Sequence, residues 1–569
     1  MPLVPVSFRL TVSLLALTAL AVGIANAAAC ESLSGLQLPH ATITLARAMS
    51  ESDLPAADSP VPVKGLPPFC RVTVISKPTS DSLISIEVWI PLGEAWNGRY
   101  EQVGCGGLCG SLQFQYPSMA RAIRRGYATA ATDDGSQTNG DATFALGHPE
   151  KIIDFGYRAL KETTESAKAI IAAMAGKKPL RLYFNGCSDG GREALMEAQR
   201  FPEDFDGIIV GAPANAWTHQ FGGFVANQQA LLKDPENYIP DAKLPILSKA
   251  VLEQCLKRDS GAPGDAFLSD PLGCQFDPSK VQCARGQDPN TCLTPAQVKS
   301  AKAIYGGLHD PRTGKLVAAG FTPGNEDERA NWPMWMVGSS RDANLADKKP
   351  PSSGSADLSQ RALQGYFGSG FFGYFILQNP SLDILELDVS AAVAAADSGS
   401  GKIINSIDPD LRPFKRHGGK IIQYHGWADS ALAPMNSVNY YNSVRSALFR
   451  KTTAEPGSFS EIQNFYRLFM VPGMGHCFGG PGATEIGESA DPPVVDAEHD
   501  LMKALERWVE QGVAPEKIIA SHYVDGDPAR GVQFERPLCP YPQVARYDGR
   551  GKPSDAASFA CRQDNWRQR

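Results

Sequence analysis

The chain has 569 residues, 43% of them apolar, and carries a net charge of −7 at neutral pH. That length exceeds what one hydrophobic core usually fills, so either one large domain with an insertion or two domains are expected. The mild acidity excludes the basic footprint of a nucleic-acid binder, and the apolar content is ordinary for a globular protein.

The first 27 residues read as an export leader rather than part of the fold. Arg9 precedes an apolar run from Leu10 to Ile24, and Ala25-Asn26-Ala27 has the small-residue pattern of a cleavage site. A mature start near Ala28 makes the protein secreted or periplasmic, with no membrane attachment after cleavage. Acylation of Cys30 is the alternative, but Ala27-Ala28-Ala29-Cys30 lacks the leucine usual three residues before such a cysteine. In an oxidising compartment the twelve cysteines read as disulfides. Zinc would be the competing use, yet no Cys-x-x-Cys pair occurs and the nine histidines are scattered without ligand spacing.

From residue 28 to 100 the chain reads as an antiparallel lead-in, with β-formers at 70–75 and 84–90 and Pro91 ending the second strand. A strand from Arg99 to Val103 then runs into the glycine loop Gly104-Cys-Gly-Gly-Leu-Cys-Gly110, whose bare backbone can approach a ligand closely or simply turn. Beyond Tyr116, strands and helices alternate: a short helix to Arg125, strand 127–132, helix 158–174, strand 180–184, a helix to Arg200 and strand 207–211. This spacing implies parallel β-α-β units, an α/β fold with a doubly covered sheet.

Between about 214 and 413 the rhythm breaks. Irregular apolar runs, four cysteines (255, 274, 283 and 292) and the polar stretch 348–355 fill some 200 residues, too many for a structureless loop. An inserted domain is expected there, dividing the sheet domain into 28–213 and 414–569. Alternation resumes with strand 420–424, a helix from Ser437, strand 466–471 and a last helix over 496–511 with Leu501, Leu505 and Trp508 on one side.

Strand 180–184 leads into Gly186-Cys187-Ser188-Asp189-Gly190 and then a helix-forming run. This is the pattern of a nucleophile elbow, in which a strained turn lifts the serine hydroxyl above the sheet. A serine needs a base, and the base needs an acid to fix its tautomer. Asp429 and His476 each follow a strand in a glycine-flanked loop, and the order Ser188, Asp429, His476 is the one that α/β-hydrolases use. Asp133 and Asp134 precede the serine and read as turn or hydrogen-bonding residues, and His425 as a structural imidazole. Cys187 adjoins the serine and Cys477 adjoins the histidine, so pairing the two side chains pairs two thiols that should form a bond.

The set Gly186-Cys-Ser-Asp-Gly-Gly-Arg192, His425-Gly-Trp-Ala-Asp429 and Gly473-Met-Gly-His-Cys477 resembles the tannase and feruloyl esterase family over nearly the whole mature chain. The resemblance implies an α/β-hydrolase fold with a large inserted lid, and hydrolysis of esters of aromatic acids without a catalytic cofactor. Terephthalate monoesters, also cleaved within that family, and a silent binding role on the same fold are the alternatives. It further implies the bridges Cys30–Cys70, Cys187–Cys477, Cys255–Cys274, Cys283–Cys292 and Cys539–Cys561. Cys105 and Cys109 then remain for a sixth, short-range bridge. The N–H of Asp189 and one from Gly106 or Gly107 would form the oxyanion hole. The family's lid commonly holds a structural calcium ion, for which Asp259, Gly261, Asp265 and Phe267 are the corresponding ligands. Leu256 stands where that pattern usually has its first aspartate. The aromatic run Tyr366–Phe375 is expected either to select the acyl group or to form lid core, with Arg361 nearby. The sequence leaves oligomeric state open.

Overall fold

A computed structural model describes residues 28–49, 54, 63–138, 140–351, 358–449, 459–489 and 493–563. The expected leader, 1–27, and residues 352–355 of the polar stretch 348–355 lie outside the described residues.

Short runs of valine, isoleucine, alanine and aromatic residues form the strands. In chain order these are β1 (Ala41–Met49), β2 (Phe69–Ser76), β3 (Ile84–Pro91), β4 (Arg99–Val103), β5 (Ala128–Thr132), β6 (Arg181–Cys187) and β7 (Gly207–Gly211). A small hairpin, β8 (Leu308–His309) and β9 (Leu316–Ala318), lies in the insertion, and β10 (Lys420–Gly426) and β11 (Tyr466–Val471) follow it. One nine-stranded sheet has the order β1-β2-β3-β5-β4-β6-β7-β10-β11. Its first three strands are antiparallel, as is the β3–β5 pair. From β5 to β11 every pair is parallel.

The parallel strands are covered on both faces, so alternate residues of one strand serve different cores. Phe184 and Ile208 face the helices Ala159–Ala175 and Asp189–Arg200 through Leu160, Ile171 and Leu195. Tyr183, Ile209 and Ile422 face the helix Leu501–Gln511 through Leu501, Leu505 and Trp508. That last helix starts five residues later than its sequence pattern suggests, because the Asp500 side chain accepts from the Lys503 N–H and caps it.

Between β7 and β10 the chain builds the helices Trp217–Leu232, Leu244–Cys255, Pro295–Gly306, Leu363–Gly370 and Val389–Ser398. They share a core that includes Phe221, Leu247, Ile304, Phe371 and Val393, and it continues onto Phe144, Phe155 and Leu432 of the flanking sheet segments. One strand and the hairpins escaped the sequence reading, β8–β9 among them. The edge strand β1 alternates only weakly, and the chain beyond Gln511 folds into two hairpins, β12 (Ile518–Tyr523) with β13 (Val532–Leu538) and β14 (Gln543–Tyr547) with β15 (Phe559–Gln563). The bridge Cys539–Cys561 ties the second hairpin to the end of the first.

Candidate active site

Strand β6 ends at Cys187, and the next residue, Ser188, has φ 66° and ψ −119°, a conformation that costs a side-chain-bearing residue energy. The surroundings enforce it. The Ser188 N–H donates to the Gly211 carbonyl at 3.1 Å, and the Ser188 carbonyl accepts from Ala214 at 2.9 Å and Arg192 at 3.1 Å. A Cβ at position 186 would lie 2.4 Å from the Gly190 oxygen, and one at 191 would lie 2.2 Å from the Gly211 oxygen. Only glycine lets the helix start this close to the sheet.

The expected residues meet at the carboxyl ends of β6, β10 and β11. The Ser188 Oγ lies 2.8 Å from His476 Nε2, and His476 Nδ1 lies 2.8 Å from Asp429 Oδ2. The second Asp429 oxygen accepts the backbone N–H groups of Ala431 and Leu432 at 2.8 and 2.9 Å. Burial opposes ionisation of Asp429, yet the adjacent His476 and His425 together hold its carboxyl well below the usual range. His425 is more than a structural imidazole: its Nε2 lies 3.2 Å from Asp429 Oδ2 and 3.1 Å from the Leu432 carbonyl, so that nitrogen carries the proton. Its Nδ1 then accepts from Ser437 Oγ at 2.7 Å. Cys187 and Cys477 are bonded, with Cα atoms 5.9 Å apart, so the bridge joins the residues beside the serine and the histidine.

Gly106 and Gly107 border the same cleft as Ser188 and Asp189. Their loop is pinned to the elbow from both sides: Gly190 N–H donates to the Cys105 carbonyl at 2.9 Å, and Cys105 N–H donates to Glu193 Oε2 at 3.0 Å. Behind it lie three buried carboxyl groups, Asp134, Asp189 and Glu193, around the fully buried Arg192. Arg192 donates to Asp189 and to the carbonyls of Gly156 and Phe155 at 2.8 and 3.0 Å. Burial and repulsion from Glu193 push the Asp134 carboxyl well up. Burial raises Asp189 to about 7 against the opposing Arg192 charge.

Ligand-type atoms of Cys105, Cys109, Asp134, Asp189 and Glu193 lie within 4.8 Å of one another, a grouping of the kind that can hold a metal. Here the two sulfurs are bonded to each other and Arg192 already supplies the positive charge. Sequence reasoning missed this cluster. Its signal was the charged pair Arg192-Glu193 in the first turns of a helix that must pack against the sheet.

The cleft above Ser188 has a volume of about 370 Å³. Its walls include Trp217, Phe221 and Phe224 from the helix after β7, Trp335 and Leu363 from the insertion, and Phe478 after the histidine. The Trp335 ring meets the His476 ring edge to face at 5.4 Å. Of the aromatic run 366–375, Phe367 reaches the cleft, whereas Phe371, Phe372, Tyr374 and Phe375 are buried in the insertion core. Arg361 is not among the lining residues; it pairs with Asp347 at 2.9 Å.

The loop expected to hold calcium does not fit that ion. Asp259 accepts backbone N–H groups of Gly261, Ser269 and Asp270 at 3.2, 2.7 and 2.9 Å. Asp265 accepts from Ala262 N–H at 2.8 Å with one oxygen and from Arg536 at 2.5 Å with the other. Calcium requires six to eight oxygen ligands with open lone pairs. Both carboxylates expected among the ligands are spent on donors, one of them a guanidinium.

The remaining bridges are Cys30–Cys70, Cys255–Cys274 and Cys283–Cys292, and with the short Cys105–Cys109 bridge all twelve cysteines are paired.

A mostly parallel, doubly covered sheet with a serine elbow at a strand end defines the α/β-hydrolase fold. The chain belongs to the tannase and feruloyl esterase family, whose model matches residues 70–562, and is a carboxylic ester hydrolase of that family. It is 40% identical to an uncharacterized esterase of Xanthomonas campestris pv. campestris, over 96% of this chain and 94% of that one. It is 32% identical to the mono(2-hydroxyethyl) terephthalate hydrolase of Piscinibacter sakaiensis, over 95% and 92% of the two chains. The crystal structure of feruloyl esterase B from Aspergillus oryzae superposes with a TM-score of 0.82 at 26% identity, covering 94% of this chain and all of that one.

Proposed function

We propose that this chain is an exported serine esterase for esters of uncharged aromatic acids, of the hydroxycinnamate type. The observation that carries the reading is the cleft. Apart from Ser188, Asp189 and His476, its lining residues offer no charged or hydroxyl side chain, while six aromatic side chains (Trp217, Phe221, Phe224, Trp335, Phe367 and Phe478) wall it. A planar aromatic acyl group stacks well in such a place. The free carboxylate of a terephthalate monoester would be desolvated there with no cation among the lining residues to pair it, a loss that binding does not recover. The three hydroxyls of gallate would likewise go unpaired.

In the proposed mechanism Ser188 Oγ attacks the ester carbonyl as its proton passes to His476 Nε2. Asp429, ionised and fixed by two backbone N–H groups and His425, stabilises the imidazolium that results. The Asp189 N–H and one from Gly106 or Gly107 receive the negative charge on the carbonyl oxygen. His476 then gives the proton to the leaving alcohol oxygen, the C–O bond breaks, and water hydrolyses the acyl-enzyme by the same route. The insertion serves as a lid that supplies most of the acyl wall. Six disulfides suit an oxidising compartment outside the cytoplasm. No step passes through a metal.

Turnover of methyl ferulate, methyl gallate and mono(2-hydroxyethyl) terephthalate tests the assignment, with Ser188→Ala as control. Methyl ferulate is expected to have the highest kcat/KM, and Ser188→Ala to abolish turnover of all three. Preference for the terephthalate monoester would overturn the choice of acid. Failure of Ser188 to react with an active-site phosphonate would favour a silent binding protein.

A further inference from the structure

Phe478 is 64% exposed and Met334 39% exposed, whereas Trp217, Phe221 and Phe224 in the same cleft are 1%, 4% and 3% exposed. The cleft thus runs from a closed aromatic floor to an open mouth that is also apolar. A phenylalanine ring left in water is a cost the fold does not require. The loop that carries it is anchored on both sides. Cys477 is bonded to Cys187 and has φ 67°. The Gly475 N–H donates to the Gly479 carbonyl at 3.0 Å and closes the loop around Phe478. The Met474 carbonyl accepts from Ala428 N–H at 2.9 Å, and the Gly482 carbonyl pairs with His522 at 2.7 Å. The loop thus keeps Phe478 at the cleft, two residues beyond the histidine that faces Ser188.

That position has a chemical meaning. His476 Nε2 is the atom that protonates the leaving oxygen, so the alcohol portion of the ester leaves past His476 and toward the mouth. The acyl ring fills the closed floor, which is the only part of the cleft able to desolvate it fully. We propose that Phe478, together with Met334, is the platform for the alcohol portion of the ester and selects an apolar alkyl or aryl alcohol. A sugar would need hydrogen-bonding side chains, and among the cleft-lining residues the mouth offers none. The inference rests on Ser188 and His476 performing ester hydrolysis and not on which acid fills the floor.

The test compares kcat/KM of the full chain for methyl, butyl and arabinosyl esters of one hydroxycinnamic acid, and for methyl and butyl acetate. Butyl is expected to exceed methyl by about five-fold or more, since each fully buried methylene is worth roughly a four-fold gain and the three added methylenes on an open platform bury the equivalent of at least one. Phe478→Ala should bring the butyl-to-methyl ratio to about one, and Phe478→Leu should keep part of it, as expected for lost apolar contact. Stoichiometric labelling of Ser188 by a phosphonate shows that each variant is folded. Equal butyl-to-methyl ratios in wild type and Phe478→Ala, or a preference for the arabinosyl ester, would overturn the proposal. If hydroxycinnamates are not turned over but acetates are, the assignment of the acid fails, and the acetate pair still decides the role of Phe478.

Discussion

Removing the bridge beside the nucleophile with the double variant Cys187→Ala/Cys477→Ala should cost both stability and catalysis. The two cysteines are 290 positions apart. Closing a loop of that length removes about 5.7 kcal/mol of chain entropy from the unfolded state, an upper bound because native distortion usually lowers it. Ser188 and Cys477 both have positive φ, at 66° and 67°. Each such residue costs of order 1–3 kcal/mol, so freeing Cys477 returns about 1–2 kcal/mol and leaves a net loss of about 4 kcal/mol. A chain of this size loses roughly 3–4 °C of Tm for that amount. The catalytic effect follows from geometry. With the bridge gone, only the loop's hydrogen bonds hold His476 at 2.8 Å from Ser188. A misplacement of about 1 Å typically costs near 100-fold in rate. The assay is differential scanning calorimetry beside kcat on methyl ferulate, normalised to phosphonate-labelled sites. A variant with unchanged Tm and unchanged kcat would refute the reasoning, and a lower Tm with full kcat would refute its catalytic half.

Three other outcomes are expected. Glu193→Leu, which deprives the Cys105 N–H of its acceptor, should lower kcat by up to about 100-fold, the size of one lost oxyanion donor, with a smaller change in KM; Glu193→Gln should recover most of it, and a KM-only effect would contradict the anchoring role. Chelation with EGTA should leave Tm unchanged, whereas Arg536→Ala should cost about 3–5 kcal/mol by leaving Asp265 buried without its cation; a chelator-sensitive Tm would restore the calcium reading. Burial raises Glu101 from its ordinary 4.5 to about 7, with Arg125 opposing. The native state therefore holds a proton that the unfolded state releases, and this contribution is full below pH 4.5 and lost as pH rises through 7. The loss amounts to about 3 kcal/mol. Urea unfolding from pH 5 to 8 should show Glu101→Gln losing that decline, and parallel curves for variant and wild type would contradict it.

The parts of the site fixed by local chemistry were legible in the sequence. Gly186 and Gly190 around Ser188 announce a turn that only a few residue types can make, and Asp429 and His476 each follow a run of strand formers. Strand β7 and strand β11 fall where their apolar runs end. What could not be read depends on contacts between segments far apart in the chain. Nothing near Asp265 predicts that Arg536 will sit on it, because those residues are 271 positions apart. Phe221 and Phe224 fall among the irregular apolar runs of the insertion, and only the packing of their helix over Ser188 turns them into a cleft wall. Arg192 and Glu193 look like surface residues until the sheet and the glycine loop close over them. The hairpins after Gln511 are local and went unseen for a different reason: Gln533, Glu535, Arg536 and Pro537 interrupt the strand formers of β13.

The helix Trp217–Leu232 begins six residues after β7 ends, and the Ala214 N–H just before it holds the Ser188 carbonyl. Ser188 and the aromatic floor of the cleft are therefore joined through one short segment, while Phe478 and Met334 reach the cleft from two separate segments. On the function proposed above, side chains at 221 and 224, or at 334 and 478, become two separate dials for an engineer, the first set for the acid and the second for the alcohol.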